Sequence, residues 1–509
     1  MTQRRYDAVV VGSGFGGAVT ALRLAEAGHD VLVLERGRDY RDGRFPRDPT
    51  DVGSLFWRKP GDAGLYDVRF LSGLGVVAAS GVGGGSLVYA NIHVRPDDAV
   101  FDDPRWPHAI TRATLDPYFD RVATALQLSP PPSTLRLPKR DEFQRAAATL
   151  GRPVFDPDMA VSWDACRLGA DCEFGCPHGA KRSLDITYLA AAEARGASLR
   201  SRTFATHVEP DGDGYRVHFV GGNGDSRDSV AARRVVLAAG TLGTNEILLR
   251  SRWETGTLPR LSQALGAGVS ANGDFLGSLQ NATTDLEPWV GPDVTSVMRY
   301  TDSDTPFTVA APTFNRTVMT VLASLGQPRL GALRPAGPAL WPLLGRLLPV
   351  AFARGALSRP QRLRARNAGD PSRMTNLFAI GRDNANGRAR WRRGKLDIVW
   401  NYAAENRQLV ARVMRAMEEI AGVYGGTFAP LFTWDAFRRT ITVHPLGGCA
   451  MSDSPASGVV SPEGEVFGYP GLFVADGSVV PTSLGVHPSM TIAGIAERAA
   501  EAMVASLPS

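Results

Sequence analysis

An α/β fold built on a discontinuous nucleotide-binding sheet is predicted by three observations. The apolar run Tyr6 to Val11 leads directly into Gly12-Ser13-Gly14-Phe15-Gly16-Gly17. Far downstream, Val235-Val236-Leu237-Ala238-Ala239-Gly240 again carries a strand into a glycine turn. Near the other end, Gly471-Leu472-Phe473-Val474-Ala475-Asp476-Gly477 reads as a buried strand ending at an acid. Short continuous apolar runs closed by turns, with helical stretches between them, are the pattern of a doubly wound sheet buried on both faces.

The first element carries the most detail. Ala18 to Ala27 has helical periodicity, Gly28 closes it, and Val31 to Leu34 forms a second strand that ends at Glu35. Strand, glycine turn, helix, strand and acid stand in the order that a dinucleotide site requires. Gly12 permits the tight turn, Gly14 lets the backbone approach a pyrophosphate, and Gly17 lets the helix pack on the strand. The helix N-terminus, with roughly half a positive charge, faces the phosphates. Glu35 is placed to accept hydrogen bonds from a ribose diol. The motif alone does not separate NAD from FAD, but its distance from the other glycine segments favours a long, extended cofactor. The second such segment runs from Ala79 to Asn91 and includes Gly83, Gly84, Gly85 and Ser86; its backbone can lie against a flat ring or a phosphate. The third continues from Val235–Gly240 into a helix over Asn245 to Arg250.

Two histidines lie in distinctive contexts at the C-terminal end. The first is in Val443-His444-Pro445-Leu446-Gly447-Gly448-Cys449, and the second, 43 positions on, is in Gly485-Val486-His487-Pro488-Ser489-Met490. With these blocks the chain resembles the glucose–methanol–choline (GMC) oxidoreductases, in their bacterial cholesterol-oxidase-like branch. The matching segments are Gly12 to Glu35, Gly81 to Asn91, Gly175 to Leu189, Val235 to Leu249 and Ile441 to Glu497, and the last is the most specific.

The resemblance implies noncovalently bound FAD across a Rossmann-like domain made of residues 1–100, 195–280 and 455–509, closed by a helix over Ser489 to Ala505. It also implies an α+β substrate domain, residues 101–194 and 281–454, with an antiparallel sheet. Leu377 to Ile380 and Leu396 to Trp400 look like two strands of that sheet, and Asn406 to Ala421 like an amphipathic helix. FAD contacts are expected from Gly12, Gly14, Phe15, Gly17, Glu35, Gly83, Gly85, Ser86, Asn91, Gly477, Pro488 and Met490. Asp476 is expected near the ribityl–pyrophosphate region, and the Val208 backbone at the adenine. His444 and His487 would flank the substrate hydroxyl at the flavin N5. Choline-oxidising relatives link flavin to a histidine just after the glycine turn; Val88 cannot form that bond. The other expected partners are a small-molecule alcohol and, as electron acceptor, oxygen or a quinone-like compound.

This chemistry needs few groups. As hydride leaves an alcohol its hydroxyl proton must leave too, and an imidazole can take it near neutral pH. General-base help of roughly 100- to 10,000-fold lowers the barrier by about 3–5 kcal/mol. A second polar group holds the oxygen. Sugar- and aryl-alcohol-oxidising relatives use two histidines, whereas the sterol oxidases have asparagine at the position of His487. Those enzymes also isomerise a double bond with a substrate-domain glutamate. No glutamate falls between Glu287 and Glu405, and Asp370 and Asp383 lie in no matching context. Cofactor and reaction type are therefore expected to carry over, and sterols and isomerisation are not. The rival readings are a non-redox lyase on the same scaffold and a membrane-surface binding protein with structural FAD.

Composition fits a two-domain globular enzyme. The 509 residues exceed a single core, and 44% hydrophobic with 21% charged residues excludes a disordered chain. Only Lys59, Lys139, Lys181 and Lys395 are lysines; that arginine bias points to a GC-rich bacterial genome. Residues 326–395 hold 14 arginines and one lysine against two acids, around the apolar stretches Pro335 to Gly345 and Leu347 to Ala353. Arg346 and the prolines interrupt any span of the ~20 apolar residues a bilayer requires. A solvated insertion, a lid or peripheral contact with an anionic membrane fits this segment; nucleic-acid binding does not, for want of a module. The first strand starts at Tyr6, so a cytoplasmic location is expected, peripheral at the membrane if that contact exists. Cys166, Cys172 and Cys176 cannot alone complete a four-coordinate metal site, even though His178 is nearby, and no metal is expected. Cys449 is expected to pack behind its glycine turn. His29, His93, His108, His178, His207 and His218 read as structural or surface residues.

Overall fold

The computed structural model describes residues 4–47, 52–325, 340–341 and 370–506. Most of the basic insertion, with its two apolar stretches, lies outside the described residues.

The β-branched run Arg5–Val11 forms the centre of a seven-stranded sheet. It pairs in parallel with Val31–Leu34 on one side and with Ser226–Leu237 on the other. Val31–Leu34 in turn pairs in parallel with Ser198–Arg200, and Ser226–Leu237 with Leu472–Val474. The stretches 8–11, 31–34, 235–237 and 472–474 of these strands are apolar because both faces are covered, and burying one Leu32 or Leu34 side chain contributes about 1.5–3 kcal/mol. On one flank the sheet is not doubly wound. Thr203–Asp211, Gly214–Gly221 and Ser226–Leu237 form an antiparallel meander, whose last strand is long enough to join the parallel centre.

Two helices lie against this centre. Phe15–Glu26 starts directly from the glycine turn and packs on the C-terminal helix Ser489–Ser506. Arg23 and the fully buried Glu497 lock them with two hydrogen bonds, at 2.7 and 2.8 Å, and the Tyr188 hydroxyl donates to the same carboxylate at 3.0 Å. Losing one partner would leave a buried charge uncompensated, at about 3–5 kcal/mol.

A second, six-stranded sheet is wholly antiparallel, in the order Thr427–Pro430, Phe275–Gln280, Thr375–Gly381, Phe307–Ala310, Val297–Tyr300, Val154–Phe155. Phe275–Gln280, assigned from sequence to the cofactor-binding part, belongs instead to this sheet. Its alternate side chains pack under the amphipathic helix Arg407–Val423, whereas a parallel-sheet strand would be apolar throughout. Leu396 to Trp400 also falls elsewhere. Lys395–Val399 hairpins with Gly387–Arg392 and, with Ala267–Val269, makes a separate three-stranded sheet. No helix among the described residues is long and apolar enough to cross a membrane.

The register places the site. Val11 aligns with Leu34 and Leu237, and Leu237 with Val474, so four parallel strands end at one edge. Gly12, Glu35, Ala238 and Ala475 all emerge there, at the carboxyl ends where α/β sheets bind ligands. The small strand Ile441–Thr442, paired with Gly75–Ala79, sets the start of the His444 loop beside that edge.

Candidate active site

One cavity of about 390 Å³ runs from the carboxyl edge of the first sheet to the face of the second. Its glycine-rich end has the shape of a cradle. A Cβ on Gly12 would stand 2.2 Å from the Ala238 oxygen, and one on Gly84 only 2.6 Å from the Gly14 Cα. Gly85 opens to free space on the cavity wall. Ser13 knits the cradle together: its hydroxyl donates to Glu35 Oε2 at 2.6 Å and accepts the Gly83 N–H at 3.0 Å. Glu35 also accepts the Ser13 and Gly37 N–H groups at 3.2 and 2.8 Å. A carboxylate offers about four acceptor positions, so one is left for a ribose hydroxyl on the cavity side. Backbone donors, a helix N-terminus and that acid fit a dinucleotide.

Of the residues singled out from sequence, Gly12, Gly14, Phe15, Glu35, Gly85, Asp476, Gly477, Pro488, His444 and His487 line this cavity. The others stand behind it. Gly17 admits the helix against Gly12, whose oxygen would lie 2.0 Å from an added Cβ. Gly83 has φ +103° and gives its N–H to Ser13, while the Ser86 hydroxyl closes the same turn by donating to the Gly83 carbonyl at 2.7 Å. Asn91 is fully buried, its side chain against the Cys172 thiol. Met490 is buried in the C-terminal helix, away from the lining.

Val208 is a correction. It is fully buried and does not line the cavity, its N–H donating to the Ser251 hydroxyl at 3.1 Å and its carbonyl accepting from Thr257 at 2.6 Å. Thr203, Phe204 and Ala205, earlier on the same strand, line the cavity instead. Asp476 reaches the wall with its carboxylate already engaged. It accepts the Ser478 N–H and hydroxyl at 2.8 and 2.6 Å and the Thr244 hydroxyl at 2.5 Å, clamping the two glycine turns together. Asp383 is likewise internal: it holds the turn at 270–273 by accepting from Ser270, Ala271 and Gly273 at 2.8–2.9 Å. Burial raises its carboxyl to about 6. Asp370 caps a surface turn.

At the far end of the cavity the two imidazoles meet edge to face, with centroids 5.3 Å apart, and Phe378 packs against both at 5.5 and 6.2 Å. His444 Nδ1 lies 3.0 Å from Oδ1 of the fully buried Asp274. The other carboxylate oxygen accepts from the Thr442 hydroxyl at 2.7 Å and from the Val443 and His444 N–H groups. The imidazole therefore donates from Nδ1, and its Nε2 lone pair is left for the cavity. His487 sits on a loop held by Asn272, whose amide donates to the Val486 carbonyl at 2.8 Å and accepts the Leu484 N–H at 2.8 Å. Burial, then the neighbouring His444 and His93, hold His487 well below the ordinary imidazole range, so it is neutral. Its Nε2 is buried without a hydrogen-bond partner. Between the glycine cradle and this pair the wall is apolar, from Leu276, Val294, Pro312, Phe314 and Val443.

Asp274 and Asn272 carried no signal in the sequence beyond a turn-forming Asn-Gly-Asp; only the fold brings them beneath the histidine loops. His93, read as structural, packs on Phe15 and Tyr89 near His487, where burial lowers it to about 3. All four cysteines are free, and among the described residues no cluster could hold a metal ion.

Comparison with known proteins places these features in context. The N-terminal GMC oxidoreductase family model matches residues 6–265 and the C-terminal model residues 385–496. The chain is similar to a cholesterol oxidase of Mycobacterium tuberculosis, at 32% identity over 97% of this chain and 90% of that protein. It is also similar to a cholesterol oxidase of Acinetobacter baumannii, at 28% identity over 97% and 93%. Among solved structures, pyridoxine 4-oxidase from Mesorbium loti shares the fold with a TM-score of 0.67 and 18% identity, covering 98% of this chain and 99% of that one.

Proposed function

Because this chain belongs to the GMC oxidoreductase family, we propose that it oxidises a lipophilic alcohol, with His444 taking the hydroxyl proton and His487 holding the oxygen. It is an FAD-dependent oxidoreductase acting on CH–OH groups. Bound FAD would supply the two-electron redox chemistry that the side chains lack, with oxygen or a quinone-like compound as the final acceptor.

The observation that carries this reading is the Asp274–His444 hydrogen bond beside a partnerless His487 Nε2, both facing one apolar cavity. Asp274 fixes the His444 tautomer and stabilises the imidazolium that forms when the proton arrives. His487 lacks such a carboxylate and sits where burial opposes charge, so it suits a hydrogen-bonding role. Apolar walls exclude water and favour a lipophilic carbon skeleton. Anaerobic mixing of holoenzyme with a panel of alcohols tests the reading. Bleaching of the flavin band with formation of one carbonyl product per flavin is expected. Turnover without bleaching would make the protein a lyase, and the absence of both would leave the FAD structural.

The cofactor is held without a covalent bond, since Val88 occupies the wall where a linking histidine would be needed. Acid precipitation is expected to release all the flavin; yellow pellet and colourless supernatant would contradict this. Glu35→Ala removes the ribose acceptor and two supports of the Ser13 turn. FAD dissociation should rise by about 10- to 100-fold in Kd, read by equilibrium dialysis, with flavin reduction in loaded enzyme little altered.

A further inference from the structure

The cavity has a second polar feature besides the two histidines. Glu173, from the Cys172–Phe174 turn, and Asp293 both contribute to the lining, and their carboxyls lie within hydrogen-bonding reach of each other when one of them carries a proton. Glu173 is half-buried, while Asp293 is fully buried. Asp293 Oδ1 accepts the Thr313 N–H at 3.0 Å, and Oδ2 has no N–H or other O–H donor. Two adjoining carboxyls screened from bulk water disfavour ionising together, and both are raised from the ordinary carboxylate range. Burial drives Glu173 well above the carboxylate range, reinforced by the charge of Asp293.

Two lysines flank the pair, and neither supplies it with a hydrogen bond. Lys139 Nζ is engaged by the Asp293 and Ala311 carbonyls and the Thr313 hydroxyl. Lys181 Nζ is engaged by the carbonyls of Leu87, Tyr89 and Cys172. All three donors of each ammonium are thus spent. With a proton held between the carboxyls, Glu173 keeps an acceptor lone pair for the cavity, whose lining also includes Val294, Pro312 and Phe314. The carboxyl pair offers an anion only acceptors, and a cation would lie close to two buried lysines whose own charge burial already disfavours, Lys139 at about 7 and Lys181 at about 8. A neutral O–H donor meets neither penalty.

We propose that Glu173, backed by Asp293, is a specificity-determining anchor that binds a second, non-reacting hydroxyl of the substrate. The preferred substrate is then an apolar body carrying two hydroxyls, one oxidised at His444 and one held at Glu173. This rests on the reading of the cavity as the alcohol site.

The test measures anaerobic flavin reduction by holoenzyme with matched probes: hexanol with hexanediol and aminohexanol, decanol with decanediol, and cyclohexanol with cyclohexanediol. At least one diol is expected to exceed its mono-alcohol by about tenfold or more in the apparent second-order rate constant. Glu173→Met should bring that ratio to about one. Glu173→Gln should preserve it, because an amide can donate to Asp293 and still accept the hydroxyl. A wild-type ratio near one for every pair overturns the proposal even if Glu173→Met fails to fold. A preference for aminohexanol over hexanediol overturns the choice of a neutral hydroxyl. Loss of FAD in Glu173→Met with the diol preference intact would assign the pair to the cofactor instead. If alcohols reduce the flavin equally, only this inference fails; if none reduces it, the proposed function fails first and carries the inference with it.

Discussion

Replacing His444 by alanine is expected to slow flavin reduction by about 100-fold or more with FAD still bound, because the imidazole supported by the buried Asp274 carboxylate is lost. Holoenzyme content should not change, since His444 meets the cavity at the end remote from the glycine cradle. His487→Asn should be milder, as an amide still hydrogen-bonds the substrate oxygen. His444→Asn should lose most of the rate, since an amide cannot take the hydroxyl proton. Asp274→Asn should resemble His444→Ala more than His487→Asn, since an amide neither fixes the tautomer nor balances the imidazolium. If His487→Asn abolishes reduction while His444→Asn is tolerated, the two roles are reversed. Stopped-flow absorbance of the flavin band distinguishes these cases.

The second large effect lies in the cradle. Gly12→Ala should yield little or no holoenzyme. Gly12 has φ +100°, and the added Cβ would sit 2.2 Å from the Ala238 oxygen and 2.6 Å from its carbon, both backbone atoms of a residue whose N–H is bonded to the Val11 carbonyl at the end of the paired strands. No flexible side chain can move aside, so the strand edge must shift at a cost of several kcal/mol. That is a large fraction of the stability of a typical domain. Gly85→Ala provides the contrast: its Cβ meets nothing within 4 Å, so the chain should fold normally with at most weaker FAD binding. Thermal unfolding and the ratio of flavin to protein absorbance read both variants. Equal flavin content in Gly12→Ala and wild type would refute the cradle.

The parts legible in the sequence were those fixed by local rules. Tyr6 to Glu35 could be read because strand, glycine turn, helix and acid follow one another, and each residue type has a single backbone reason to be there. Leu472–Val474 and the C-terminal helix were legible for the same cause. Less was visible where long-range pairing decides. Ser226–Leu237 serves both a meander and the parallel centre, and Phe275–Gln280 joins a sheet whose other strands lie up to about 150 positions away. The site divides in the same way. His444 and His487 stood in motifs, but Asp274 and Asn272, which position them, and Glu173 and Asp293, in the cavity lining, come from turns with no pattern of their own. Val208 was misplaced by a few positions along the right strand, because which backbone groups of Thr203–Asp211 remain unbonded depends on Ser251 and Thr257 from another element.

The central claim is that one alcohol C–H bond is broken toward the flavin while His444 removes the hydroxyl proton in the same cavity. Anaerobic stopped-flow with an alcohol carrying deuterium at the carbinol carbon tests it most directly. The account predicts that the flavin band bleaches once per flavin, more slowly for the deuterated alcohol, and that His444→Ala slows both reactions. Bleaching at the same rate with either isotope and in His444→Ala, or product formed with the flavin still oxidised, would contradict it.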